Sequence, residues 1–116
     1  MTGLIYKILR QPEWRTAMGQ GKLIGSPVDV ADGYIHFSTA RQVRETAARH
    51  FHGETDLVLL VVDPQTLGTD LRWEPSRGGD LFPHLYAVLP MSRVMASYPL
   101  PLGEDDRHVF AAAAGL

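Results

Sequence analysis

Along residues 4–9 the chain alternates with the period of a strand, placing Leu4, Tyr6 and Ile8 on one face and Ile5, Lys7 and Leu9 on the other. Lys7 interrupts an otherwise apolar pattern. An ammonium there needs a partner or a cleft to reach into, unless the strand is an edge and Lys7 faces water as a guard against aggregation. From Pro12 the period changes: Trp14, Ala17 and Met18 recur at helical spacing, and Gly19 and Gly21 end a helix of about two turns. A connection through Ser26-Pro27-Val28-Asp29 leads to the Asp32-Gly33 turn signal and a strand over 34–38. Thr39-Ala40-Arg41-Gln42 fits a capping box, opening a helix whose Val43, Ala47 and Phe51 share one face.

The unbroken apolar run 57–62, bounded by Asp56 and Asp63-Pro64, predicts a central strand covered on both faces. A short strand over 71–74 stops at Pro75 and is followed by a loop over 76–80. A further strand over 81–88 carries Phe82, His84 and Tyr86 on one face, with Pro83 implying an edge or a bulge. Residues 93–98 read as the last strand, and the alanine-rich end as a weak helix or a frayed one. The expected architecture is α+β: one domain with its core over about 3–99 and a tail, 103–116, of weaker order.

Composition narrows the function classes. A chain of 116 residues, 45% hydrophobic and 21% charged, holds one ordinary core and is neither disordered nor fibrous. A net charge of −2 provides no broad cationic face for duplex nucleic acid, so the expected partner is a small molecule. No apolar run approaches a membrane span, and the N-terminus lacks secretory features, which predicts a cytoplasmic protein. The absence of cysteine removes disulfides and thiolate chemistry.

The candidate chemistry gathers around 33–38. A period of two places His36 and Ser38 together and turns Ile35 and Phe37 inward; a helix start beside Thr39 and Gln42 would add backbone N–H groups favouring a phosphate or carboxylate. The competing account is that Ser38 and Thr39 only cap the helix while His36 bonds a neighbouring strand. Glu74 sits at a strand end just before Arg77 and a Gly-Gly loop, where a site role competes with a surface ion pair. His84, between Phe82 and Tyr86, is either a half-buried structural histidine or an acid–base group. His50 and His52 read as cations at a helix C-terminus, and Trp14 and Trp73 as core anchors.

The order of these segments, above all Asp32-Gly33-Tyr34-Ile35-His36-Phe37-Ser38 and Leu81-Phe82-Pro83-His84-Leu85-Tyr86, closely resembles the bacterial domain of unknown function 952 family up to about Tyr98. The resemblance implies an ADP-ribosyltransferase-like fold: two small mixed or antiparallel sheets around a cleft, with two or three short helices. Locally the opening is similar to RNA 2'-phosphotransferases, where His36 and Ser38 match a strand of the type H-V-H-L-S. Lys7 stands where those enzymes place the histidine that holds the NAD ribose, and Ile8 replaces a glycine.

The expected function is therefore binding of a ribose- or phosphate-bearing small molecule such as NAD, with transferase chemistry as its extension. His36, Glu74 and His84 are the expected catalytic groups. Lys7, Ser38, Thr39, Arg77 and Tyr86 are the expected cofactor contacts. A noncatalytic ligand-sensing or interaction module is the first alternative; a metal enzyme using His36, His84 and Glu74 is the second.

Overall fold

A computed structural model describes residues 3–116, with Arg77 described by its backbone alone. β1 (Ile5–Arg10) runs directly into α1 (Gln11–Gln20). Local chemistry makes the hand-over: the Arg10 backbone N–H donates to the Glu13 carboxylate at 2.9 Å, and Pro12 sits in the first turn. The helix is longer than expected, at 10 residues, and buries Ala17 while Met18 stays exposed.

After β2 (Lys22–Leu23) the Ser-Pro connection is itself a helix, α2 (Pro27–Asp32). Ser26 Oγ accepts from the Asp29 N–H at 3.2 Å and Asp29 Oδ2 accepts from the Ser26 N–H at 3.0 Å, a reciprocal cap; Gly33 ends the helix at φ 86°.

The predicted strand over 34–38 is two strands. β3 (Ile35–His36) and β4 (Ser38–Thr39) belong to different sheets, with Phe37 buried where the chain crosses between them. α3 (Val43–His50) begins later than expected, because Thr39 still pairs with Ile5 of β1 and Gln42 caps the helix. Half of the expected capping exchange survives: Gln42 Oε1 accepts from the Thr39 N–H at 3.0 Å.

β5 (Leu57–Val62) is buried at every position, as its composition predicts. The remaining strands are β6 (Leu71–Pro75), β7 (Leu81–Leu85), β8 (Leu89–Pro90) and β9 (Val94–Leu100). They form three sheets rather than two, with orders β4-β1-β5-β9, β3-β7-β6 and β2-β8, and every pairing is antiparallel. The architecture is mixed α+β, with few and short helices.

The Lys7 side chain is buried and paired with Asp29 instead of facing water, so it is not an edge guard. Ile5 and Leu9, which share its face, pack with Val58, Leu60, Ile35 and Leu85 in the core between the sheets. On the opposite face Tyr6 and Ile8 pack with Val43 and Ala47 of α3. Pro83 stands in β7, the middle strand of its sheet, not at an edge. It is tolerated because β3 pairs only with His84 and Leu85; beside Pro83 the chain is already leaving, and the Pro83 carbonyl accepts from the Phe37 N–H at 3.0 Å.

Trp73, expected in the core, is 39% exposed on β6, the edge strand of its sheet. Trp14 does pack against the core. The alanine-rich end is not a regular α-helix. Its short turn over Ala112–Ala114 packs beneath β1, where the Tyr6 hydroxyl donates to the Ala114 carbonyl at 2.8 Å and Ala114 is buried. Among the described residues no helix is long and apolar enough to cross a membrane.

Candidate functional site

The separation of β3 from β4 opens a cleft. β4 covers β1 only at Ile5 and Tyr6, while β3 departs to the other sheet, so β1 from Lys7 onward borders an opening of about 450 Å³. Lys7, His36, Ser38 and His84 all line it, together with Asp29, Asp32, Thr46 and His50.

Asp29 organises the floor. Its side chain is 2% exposed and lies between two basic groups: Lys7 Nζ is 2.8 Å from Oδ2, and His36 Nδ1 donates to Oδ1 at 2.5 Å. The Ser26 N–H also donates to Oδ2 and the His36 N–H to Oδ1. Burial by itself would raise the carboxyl's pKa, but the His36 hydrogen bond and the Lys7 charge outweigh it and hold Asp29 well below the usual carboxylate range. Gly25 leaves the necessary room. A Cβ there would meet the Asp29 Cβ at 2.6 Å, and its φ of 124° is strained for any side chain.

His36 faces a second carboxylate, with Nε2 3.0 Å from Asp32 Oδ2. Both ring nitrogens of His36 are thus taken up by acidic partners. His84, directly opposite His36 in the β3–β7 register, is held differently. Its Nδ1 donates to Glu74 Oε1 at 2.8 Å, leaving Nε2 as the ring atom available to a ligand. The Tyr86 hydroxyl donates to the same Glu74 oxygen at 2.8 Å. These two hydrogen bonds, His84 first, lower the Glu74 pKa, and the bond to Glu74 raises that of Tyr86. Tyr34 lies against both histidines, with ring centroids 4.6 Å from His36 and 4.1 Å from His84.

The expected residues thus divide. Lys7, His36, Ser38 and His84 converge on the cleft; Glu74 and Tyr86 do not line it and reach it through His84. Glu74 stands behind the His84 imidazole, because β6 lies beyond β7 as seen from β3. Thr39 pairs with β1 and does not stand at a helix start, and its backbone N–H is taken up by Gln42. Ser38 Oγ is hydrogen-bonded to Thr46 Oγ1 at 2.8 Å instead of capping α3. The side chain of Arg77 lies outside the described residues; its neighbour Ser76 lines the cleft.

His50, expected only as a helix-end cation, faces the cleft, while His52 lies on a separate depression beside Arg107 and His108. Asp29, Asp32 and Tyr34 were not expected at all. The available signal was the Ser26-x-x-Asp29 capping box with proline at the first helical position, which predicts α2 and places Asp29 at its start. Among the described residues no group of three or more His, Asp or Glu side chains is arranged to hold a metal ion.

A family model described as "Protein of unknown function (DUF952)" matches residues 8–97. The chain is similar to the crystal structure of protein CC0527 from Caulobacter crescentus, with a TM-score of 0.91 and 49% identity over 97% of this chain and 99% of that one. The solution structure of CC0527 matches with a TM-score of 0.81 and 52% identity, covering 90% of each chain. No curated protein matches the chain.

Proposed function

The chain belongs to the DUF952 family, and on that premise we propose that its cleft binds a ribose- or phosphate-bearing small molecule such as NAD, in a fold of ADP-ribosyltransferase type. The observation that carries this reading is the convergence of Lys7, His36, Ser38 and His84 on one opening between two diverging antiparallel sheets. Hydroxyls and ring nitrogens of that kind orient ribose oxygens by directed hydrogen bonds.

Transfer chemistry is the extension. His84 is the general acid or base: Glu74 fixes its tautomer through Nδ1, and Nε2 exchanges the proton with the ligand or acceptor. Lys7 and His36, tied to one buried carboxylate, form a rigid floor that loses little freedom when a ligand arrives. Tyr86 is a positioning residue, because it touches Glu74 and not the cleft.

A thermal-shift series against NAD, ADP-ribose and nucleotides tests the reading, run on the wild type and on His36→Ala and His84→Ala. Ligand at a hundred times its dissociation constant adds about 2.7 kcal/mol of stability. The expected result is a raised midpoint with NAD or ADP-ribose that is lost in both variants. No shift with any nucleotide would set the reading aside. A shift that persists with no product formed by the wild type would leave a noncatalytic sensing module.

A further inference from the structure

Among the described residues the cleft is short of unpaired positive charge. Its two fixed cations, Lys7 and Arg10, already meet carboxylates at 2.8 Å and 2.7 Å. Three carboxylates, Glu13, Asp29 and Asp32, line the same opening, and Glu74 stands directly behind His84. Asp32 is more accessible than either Asp29 or Glu74, its side chain 46% exposed against 2% and 34%. The Tyr34 hydroxyl registers the resulting field: burial first, then the charges of Asp32, Glu74 and Asp29, push its pKa up. The adjoining aromatic face holds a cation of its own, the Arg72 guanidinium lying 4.5 Å from the centroid of Tyr86.

A dianionic phosphate entering here would be desolvated beside carboxylates, with Lys7, Arg10 and His36 already paired; a cationic heterocycle would meet acids and ring faces. We infer that the inner cleft takes a cationic N-riboside, a positively charged nitrogen heterocycle carried on a ribose, and leaves any phosphate of the ligand outside. This rests on the ribose-binding reading above and names the part of the ligand that enters. Lys7, whose ammonium has N–H groups beyond the one on Asp29, then acts toward ribose hydroxyls, and Asp32 faces the heterocycle's charge.

Titration calorimetry with three probes tests it: nicotinamide riboside as the cation, ribose 5-phosphate as the anionic sugar, and inorganic phosphate. Wild-type protein is expected to bind nicotinamide riboside, and phosphate is expected not to displace it. Asp32→Asn, at an exposed position that keeps the side-chain shape, should weaken the riboside by about threefold to tenfold without weakening ribose 5-phosphate. Asp32→Lys should reverse the preference between the two sugars. If ribose 5-phosphate or phosphate binds wild type and displaces the riboside, the inference is overturned while the ribose- or phosphate-binding reading stands. If none of the probes binds and ADP-ribose does not either, both fall.

Discussion

β5 and the β3–β7 ladder are both interior to the fold, yet they are held by different forces. β5 is six apolar residues packed on both faces, where each side chain contributes through the area it removes from water. The β3–β7 ladder turns Ile35, Phe37 and Leu85 into that same core, and on its other face sets His36 against His84, each with a carboxylate at Nδ1. The first arrangement tolerates any residue of suitable shape. The second depends on particular partners, because a buried charge that loses its counter-charge has no substitute nearby.

Removing Asp29 is the sharpest way to break the comparison. Asp29→Ala leaves the Lys7 ammonium, 8% exposed, without its partner, and about 3–5 kcal/mol of stability should be lost in urea unfolding. The effect has a pH signature. Asp29 titrates below its unfolded value, so its contribution is complete above the ordinary carboxylate range near pH 4 and is lost as pH falls through the lower, folded value. Acid unfolding of the wild type should therefore be steeper than that of Asp29→Asn; equal limbs would mean that the carboxylate is not held by this network.

Leu60→Ala tests the other region and should cost about 2–5 kcal/mol through transfer and cavity terms, with no pH dependence of its own. Ser26→Ala removes the cap that starts α2 and presents Asp29; a loss of about 1 kcal/mol is expected, with a weaker response to any ligand of the cleft. Arg49→Ala breaks an exposed pair with Glu45 on α3 at 2.9 Å and should change stability by about 0.5 kcal/mol or less, which sets the scale for a surface charge. A loss as large as that of Asp29→Ala would erase the distinction between the regions.

What was readable in advance follows the same division. The strands β1, β5 and β9 are legible because alternation and unbroken apolar runs are local patterns, and the faces of Ile35 and Phe37 against His36 and Ser38 follow from a period of two. Three features were misread for reasons of context. The 34–38 segment has strand character throughout, but whether it serves one sheet or two depends on where β1 and β7 lie. Pro83 marks a missing donor, and only the departure of β3 explains why that is harmless in a middle strand. The alanines at the chain end have no strong pattern; the Tyr6 hydroxyl and the adjacent sheet face are what seat them.

The candidate site was half legible. Histidine, serine and lysine at apolar-strand positions stand out because they conflict with their surroundings, and four of them do converge. Their acidic partners do not conflict with anything. Asp29 and Asp32 look like ordinary residues of a turn, and Glu74 like a surface acid, until the fold sets them against Lys7, His36 and His84.

By itself the amino-acid sequence determined the core strands, the presence of the first helix and the facing of Ile35 and Phe37 against His36 and Ser38, because those depend on neighbours within a few positions. The tertiary structure alone decided which carboxylate neutralises which base, and so the charge a ligand would meet, because electrostatic partnership depends on distance in space and on burial, and the residues concerned lie on separate elements.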